Sequence, residues 1–184
     1  MDQQKIDRLR AEKIAPQTHL INGKHVPASD GGTMDVTSPI DGARLTTMAR
    51  GTAEDMQAAT AAARAAFADG VCAAQPPSAR LNVMLKWADL IEAYELELAL
   101  LGVRDNGTEI GMGLKAEPGS AAGSIRYYAE ALDKVYGEIA PTGHDVMGLI
   151  HKEPVGVVGA IIPWNFPLMI GAWKLGPALA MGNS

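Results

Sequence analysis

The hydrophobic positions of this chain follow two different patterns, and each predicts a different kind of element. In three stretches, apolar side chains recur every three or four residues, the interval that gathers them on one face of an α-helix. These stretches predict helices over Ala53 to Ala68, from residue 81 to an end near Asn106-Gly107, and over Glu117 to Tyr136. Val155 to Ile162 is instead a continuous and largely β-branched apolar run. It predicts a strand buried on both faces, as in a parallel sheet.

Residues at the helix ends agree with this division. Thr52 stands where the first of these helices needs an N-cap, and Glu54 and Asp55 lie at the positive end of its dipole. Gly70 follows its last apolar position, as a C-terminal glycine does. Residues 1–16 predict a further helical start that is frayed or docked on the rest of the chain.

Short strands are predicted near the N-terminus. Asn22-Gly23 lies between residues 18–21 and 24–26, and this dipeptide suits a type I′ turn, so a hairpin is expected. A second strand pair is predicted over residues 35–37 and 45–49, with turn-forming residues between them. Asp145 to Lys152 is a moderately apolar strand candidate further along the chain.

The predicted strand Val155 to Ile162 runs into a stiff turn and then into a helical pattern that ends at Gly182. Strand, turn and helix make half of a βαβ unit, in which ligands bind at the carboxyl ends of strands. Asn165 lies at that place, between Trp164 and Phe166. From spacing alone, two interpretations stay open. Its amide either donates to a ligand oxygen, or bonds the neighbouring backbone and shapes the turn.

Several helices precede this first convincing parallel strand, and that order limits the fold. A sheet with one parallel strand cannot bury the helical surface predicted here. Either the helices make a bundle of their own, or most of the sheet lies outside these residues.

The composition is that of a water-soluble globular protein of about one domain, with 184 residues, 47% apolar and 20% charged. The net charge is −5 and no Lys/Arg cluster is present, which excludes a nucleic-acid partner by its usual signature. No apolar run is long enough for a membrane span, and the N-terminus lacks a signal-peptide core, so a cytoplasmic protein is predicted. The single cysteine and four histidines show no metal-ligand spacing, so no metal is predicted.

Three weaker candidates receive a structural interpretation. Gly111 to Ala116 matches the glycine spacing of a dinucleotide fingerprint, but polar residues precede it where a buried strand is required, so it is interpreted as a loop. Cys72 has no histidine near it in sequence and is interpreted as incidental. Glu92, Glu95 and Glu97 predict a solvated helix face rather than paired catalytic carboxylates.

The chain resembles the aldehyde dehydrogenase superfamily in two long segments, Glu153-Pro-Val-Gly-Val-Val-Gly-Ala-Ile-Ile-Pro-Trp-Asn-Phe-Pro-Leu168 and Ala172-Trp-Lys-Leu-Gly-Pro-Ala-Leu-Ala-Met-Gly-Asn183. Shorter upstream segments agree, so the resemblance covers nearly the whole chain; they are residues 20–24, 37–39, 45–51, 88–92, 97–101 and 127–129. Within the superfamily, residues 125–138 are most similar to the γ-glutamyl-γ-aminobutyraldehyde dehydrogenases.

The resemblance implies an α/β fold, the N-terminal part of the aldehyde dehydrogenase fold. Residues 1–140 and 155–184 are then an incomplete, Rossmann-like NAD(P)-binding domain, and residues 141–154 begin the oligomerisation arm with its first strand. The catalytic domain lies outside the chain. The implied parent enzyme is a cytoplasmic homodimer or homotetramer.

The resemblance also implies a reaction and a set of site residues. Enzymes of this family oxidise aldehydes, here an aliphatic or amino-aldehyde, to carboxylic acids with NAD or NADP through a cysteine thiolate and a glutamate-activated water. Asn165 corresponds to the side chain that holds the oxyanion. Ile161, Ile162, Pro163, Trp164 and Asn165 correspond to the cofactor cleft, and Phe166, Ile170 and Trp173 to the aldehyde tunnel.

The family's nucleophilic cysteine, its general base, its ribose-binding lysine and its glycine-rich pyrophosphate segment correspond to positions beyond Ser184. Cys72 lies far upstream of that cysteine motif. The 184-residue chain alone is therefore expected to be inactive. The alternative is a truncated, non-catalytic fragment or an interaction module without activity of its own.

Overall fold

A computed structural model describes residues 3–184. Within that part of the chain, helices dominate and every sheet has two strands. The helices are α1 (Gln3–Ala11), α2 (Ala53–Ala68), α3 (Pro77–Ala93), α4 (Glu95–Asn106), α5 (Ile110–Ala116), α6 (Pro118–Ala131) and α7 (Pro167–Ala180), with a short 3-10 helix at Leu132–Lys134. The strands are β1 (His19–Ile21), β2 (Lys24–Val26), β3 (Thr33–Thr37), β4 (Arg44–Ala49), β5 (Glu138–Ala140) and β6 (Gly148–Ile150).

The hydrophobic core lies between α3, α6 and α7. Ile125 of α6 is fully buried there and is surrounded by alanines of the three helices. Small side chains let the helix axes approach closely: a Cβ on Gly176 of α7 would lie 3.2 Å from Cδ2 of Tyr128. Within the described residues, α3, α6 and α7 bury their apolar faces against one another, as the first of the two alternatives predicts.

The predicted N-terminal hairpins are confirmed. β1 pairs with β2 in antiparallel register, and Asn22 and Gly23 both have positive φ, 51° and 69°, as a type I′ turn requires. β3 pairs with β4, with an irregularity between Val36 and Thr37. The strand predicted over residues 145–152 is shorter than expected. It forms β6, which pairs with β5 as a separate hairpin.

The prediction of a buried strand over Val155 to Ile162 is wrong for this structure. The segment is extended but belongs to no strand, and Val155 and Ile161 are 86% and 87% exposed. The N–H and C=O groups of a strand are hydrogen-bonded by a neighbouring strand. Within residues 3–184, only one residue, Ser184, pairs with this segment in that way. Ser184 N donates to Gly156 O at 2.9 Å and Val158 N donates to Ser184 O at 2.8 Å, the pattern of one parallel pairing.

Residues 111–116 are helical rather than a loop, which corrects a second prediction. They lie in α5, because the Glu109 carboxylate accepts from Gly111 N and Met112 N, both at 2.9 Å, and so caps the helix. The same two hydrogen bonds lower the pKa of Glu109. The element before α5 is α4, which ends at Asn106 and is followed by Gly107 with φ 78°, so the strand that a dinucleotide fingerprint requires is not there.

The cap predicted at Thr52 is confirmed as a complete capping box. Thr52 Oγ1 accepts from Asp55 N, and the Asp55 carboxylate accepts from Thr52 N at 2.9 Å. Asp55 is buried, and it also accepts from Ser29 N at 2.9 Å and lies 3.6 Å from His19 Nε2. The hydrogen bond from Thr52 N is the main cause of the lowered pKa of Asp55, and burial opposes it. One carboxylate thus joins the β1–β2 hairpin to α2.

Arg80 of α3 joins distant parts of the chain. Its Nε donates to Ala180 O at 3.1 Å, and its Nη1 donates to Gln75 O at 2.6 Å and Cys72 O at 3.4 Å. The α2–α3 connection is therefore attached to the last turn of α7. A cation is favourable at that end of the helix dipole.

The acidic face of α3 and α4 is paired as well as solvated. Arg126 donates to Asp89 at 2.7 Å and to Glu92 at 2.5 Å, and Lys5 of α1 lies 3.2 Å from Glu97. These groups are exposed or half-exposed, so each pair contributes little to stability. Among residues 3–184, none of the helices combines the length and the apolar character needed to cross a bilayer.

Candidate functional site

Asn165 lies in the turn between the extended segment and α7. Pro163 and Pro167 restrict the backbone on both sides, and Pro167 occupies the first helical position, where its missing N–H costs nothing. Phe166 is the N-cap residue, but its side chain cannot cap. The turn therefore holds Asn165 directly in front of the N-terminus of a 14-residue helix.

The side chain of Asn165 is exposed, and within residues 3–184 its amide makes no hydrogen bond. Its main-chain oxygen is bonded, because Asn106 Nδ2 donates to it at 3.3 Å. The internal bond expected of a turn-shaping side chain is thus absent from the described part of the chain. The amide is free to donate to something else.

The N-terminus of α7 contributes a second source of positive potential beside Asn165. The first intrahelical bond runs from Ile170 N to Phe166 O at 3.0 Å, which leaves the preceding amides without helical partners. Met169 N is satisfied from outside the helix, since it donates to Glu117 Oε2 at 2.8 Å. An oxyanion in front of this turn would meet both a side-chain amide and the helix dipole.

The residues predicted for the cofactor cleft form an exposed apolar wall that leads into the turn. Ile161 and Trp164 are 87% and 79% exposed, and Ile162 is 42% exposed. Lys174 of α7 donates to Ile161 O and holds this wall against the helix. The wall is apolar, which suits the face of an aromatic ring.

The residues predicted for the aldehyde tunnel follow Asn165 along the helix. Phe166, Ile170 and Trp173 are spaced by four and three residues, so they share one face of α7. Phe166 and Ile170 are half-buried and Trp173 is 49% exposed. The structure therefore gathers all the predicted site residues around the first two turns of one helix.

Cys72 does not belong to this site. Its Sγ lies 3.7 Å from Leu179 O, at the far end of α7. A helix of this length spans about 20 Å, so Cys72 and Asn165 lie at opposite ends of it. No group of three or more His, Cys, Asp or Glu residues between positions 3 and 184 is arranged to hold a metal ion.

Two residues of the site escaped the sequence patterns. The sequence pattern indicates Asn106 only as a helix end and Glu117 only as a helix start. Glu117 is 7% exposed and its Oε1 has no partner among the described residues. The sequence shows only a glutamate before Pro118, and the burial of its carboxylate, which is rare, becomes visible only in the structure.

Comparison with known proteins identifies the family of the chain that carries this site. The family model for "Aldehyde dehydrogenase family" matches residues 25–184. The chain belongs to the aldehyde dehydrogenase family. This match includes the extended segment, the Asn165 turn and all of α7.

Individual aldehyde dehydrogenases support the assignment. The chain is 47% identical over 176 residues to the NADP/NAD-dependent aldehyde dehydrogenase PuuC of Escherichia coli K12, which covers 95% of the chain and 36% of PuuC. The crystal structure of γ-glutamyl-γ-aminobutyraldehyde dehydrogenase from Burkholderia cenocepacia J2315 superposes with a TM-score of 0.95 at 43% identity, over 100% of this chain and 37% of that one.

A solved indole-3-acetaldehyde dehydrogenase complexed with NAD+ gives a TM-score of 0.92 at 43% identity, over 97% of this chain and 36% of that one. The chain thus spans about a third of the length of the relatives that it matches, and it corresponds to their N-terminal part. The predicted aldehyde dehydrogenase fold is confirmed over that part.

Proposed function

We propose that this chain supplies the oxyanion-holding and cofactor-lining part of an enzyme that oxidises an aldehyde to a carboxylic acid with NAD or NADP. The observation that carries the proposal is the Asn165 side chain. Its amide has no hydrogen bond within residues 3–184 and lies at the N-terminus of α7. Family membership gives that amide its chemical context.

In the proposed reaction, attack of a thiolate on the aldehyde carbonyl turns its oxygen into an oxyanion. The Asn165 amide donates to this oxygen more strongly in the transition state than in the ground state, because the charge develops during the attack. The helix dipole of α7 favours the same charge. Loss of one such donor costs about 10²–10³ in turnover in other acyl-transfer enzymes.

The wall formed by Ile161, Ile162, Pro163 and Trp164 fits one side of a dinucleotide cleft. It is apolar, exposed and continuous with the Asn165 turn. We assign these residues to the face that holds the nicotinamide half of NAD or NADP. The chemistry that the cofactor supplies when bound is acceptance of the aldehyde's hydride.

The proposed substrate is an aliphatic or amino-aldehyde. Phe166, Ile170 and Trp173 present an apolar helix face beside Asn165, and such a face suits the carbon chain of the aldehyde. Relatives named for γ-glutamyl-γ-aminobutyraldehyde and aminoacetaldehyde support the amino-aldehyde class.

We also propose the domain division and the assembly. Residues 1–140 and 155–184 belong to the coenzyme domain, and residues 141–154 begin an arm that pairs subunits of a homodimer or homotetramer. The exposed apolar side chains of Met147 and Leu149 on the β5–β6 hairpin support the arm. A cytoplasmic location belongs to the same proposal.

The proposal is tested in the full-length enzyme that carries this chain, by following NADH or NADPH formation with an aldehyde. Asn165→Ala should lower kcat by about 10²-fold or more and leave the Kd for the cofactor nearly unchanged. Asn82→Ala, which removes an exposed amide on α3, is the matched control and should leave both unchanged. Weaker cofactor binding with unchanged kcat would show that Asn165 shapes the turn instead.

A second candidate is a stable module without catalytic activity. The closed helical core of α3, α6 and α7 favours it, because this part of the chain buries its own apolar surface. The two candidates differ in one experiment. A full-length protein that unfolds cooperatively yet shows no NAD(P)-dependent turnover with any aldehyde supports the module and excludes the enzyme.

A further inference from the structure

The turn that carries Asn165 is fixed from two sides by residues outside it. Asn106, at the C-terminal end of α4, donates to the main-chain oxygen of Asn165 at 3.3 Å. Glu117, at the junction of α5 and α6, accepts from Met169 N at 2.8 Å. Both contacts bridge a large sequence separation, so neither is a by-product of local helix geometry.

Glu117 is suited to hold rather than to react. Its residue is 7% exposed, and Oε1 is buried without a partner among the described residues. Its main chain is fixed as well, because Glu117 N donates to Gly113 O at 3.1 Å and Glu117 O accepts from Ala121 N at 3.0 Å. Burying a carboxylate is costly, and here it stabilises one backbone amide at the start of α7.

The Met169 amide needs a hydrogen-bond acceptor from outside α7. Met169 occupies the third position of α7, where no helical carbonyl is available to its N–H. The N-cap residue, Phe166, offers no side-chain cap, so Glu117 performs that task from another element. Further along, Gly176 packs closely on Tyr128 and Ile125 of α6. Contacts at its start and at its middle set both the tilt and the rotation of α7.

We propose that Asn106 and Glu117, together the Asn165 brace, are positioning residues for the Asn165 amide. This inference rests on the proposed function. The two prolines make the turn stiff, so a shift of the α7 start or of the Asn165 carbonyl moves the amide as one body. A displacement of the order of 1 Å costs about 10²-fold in rate when a group must meet a transition state.

The first test uses kcat and KM of the full-length enzyme. Glu117→Ala should lower kcat by about 10-fold to 10²-fold with little change in the KM for the aldehyde. Glu117→Gln keeps an oxygen acceptor and should recover most of that loss. Asp55→Ala is the matched control, because Asp55 is also a buried carboxylate that caps a helix, but it touches nothing near Asn165. It should lower the unfolding midpoint and leave kcat unchanged.

Asn106→Asp gives an independent variant that changes a partly exposed group. The aspartate keeps the acceptor for Thr108 N, which Asn106 Oδ1 bonds at 2.9 Å, but loses the donor to Asn165 O. A fall in kcat with an unchanged unfolding midpoint supports the brace. If Glu117→Ala and Asn106→Asp change only the unfolding midpoint, as Asp55→Ala does, the brace is refuted.

Amide hydrogen exchange and side-chain resonances of the 184-residue chain test the Asn165 brace without an activity measurement. Glu117→Ala should remove the protection of the Met169 amide, and Asn106→Asp should shift the side-chain amide resonance of Asn165. If Asn165→Ala leaves kcat unchanged, the proposed function fails. The Met169 protection and the Asn165 resonance then show by themselves whether Glu117 and Asn106 hold the turn. Unaltered Met169 protection and an unshifted Asn165 resonance would overturn it.

Discussion

The helical core and the extended segment before Asn165 are both apolar in sequence, but the core is buried in the structure and the segment is exposed. Ile125 in the core is fully buried, whereas Ile161 in the segment is 87% exposed. The difference lies in the backbone. A helix satisfies its own N–H and C=O groups, so α3, α6 and α7 need only a face to bury. A strand needs a second strand, and the segment finds one residue of it, Ser184.

The comparison shows that an apolar run in the sequence indicates where burial is favourable, but not whether the structure provides a surface that buries it. Within the described residues, the core helices provide that surface for one another. The segment keeps an exposed surface directly beside the candidate site. The same exposure makes its last residues available as a wall for a flat ligand.

The largest effect is expected when one substitution is made in both regions. Ile125→Ala should lower the free energy of unfolding by about 2–5 kcal/mol, because it empties a fully packed position. Ile161→Ala removes the same atoms from an exposed site and should change it by less than about 0.5 kcal/mol. Urea unfolding of the chain measures both. Equal losses would mean that the segment is buried after all.

Asn183 tests the point where the segment is attached. Its Oδ1 accepts from Gly156 N at 3.1 Å and its Nδ2 donates to Ala178 O at 2.9 Å, and the residue is 7% exposed. Asn183→Ala should cost about 1–3 kcal/mol, because it leaves the buried Gly156 N–H without its acceptor, whereas Ala178 O keeps the bond from the main-chain N of residue 183 at 3.1 Å. The exchange of the Gly156 and Val158 amides should accelerate. Unchanged exchange would show that the segment is held by other contacts.

The hairpin region gives a pH-dependent contrast to the apolar core. The pKa of Asp55 is lowered, chiefly by the hydrogen bond from Thr52 N, so ionised Asp55 stabilises the folded chain above the ordinary aspartate pKa of about 3.9. That contribution is lost as the pH falls from there through the lowered pKa. The stability difference between the parent chain and Asp55→Asn should therefore be largest near pH 7 and shrink below about pH 4. A difference that is constant with pH would contradict this assignment.

The smallest effect on stability is expected for the exposed run itself. Val155→Ser with Ile161→Ser should leave the free energy of unfolding within about 0.5 kcal/mol of its original value, since both side chains already face solvent. Self-association of the chain in sedimentation velocity should be weaker for the variant than for the parent, because exposed apolar surface promotes contacts between molecules. Unchanged self-association would mean that another surface is responsible for it, for example the β5–β6 hairpin.

Local signals in the sequence predicted most of the elements that depend on local interactions. Thr52 and Asn22-Gly23 act through neighbours a few residues away, so their cap and turn appear as expected. The errors arise where the deciding partner is remote or atypical. Val155 to Ile162 has no complete neighbouring strand, and residues 111–116 become helical because Glu109 caps them.

The candidate site divides in the same way. The position of Asn165 at a turn before a helix follows from its flanking prolines, and the structure agrees. The contacts of Asn106 and Glu117 with that turn could not be predicted, because they join positions 59 and 52 residues apart through single hydrogen bonds. No periodicity records a contact of that kind.

The bond from Arg80 to the last turn of α7 has a kinetic consequence. It joins residues 100 positions apart, whereas α3 and α6 meet over a much shorter separation. Contacts between distant residues form late, because the entropy of closing a long loop is lost before the contact is gained. We therefore expect the bond between Arg80 and Ala180 to form after α3 and α6 have paired, so that the last turn of α7 is among the last parts of the chain to order.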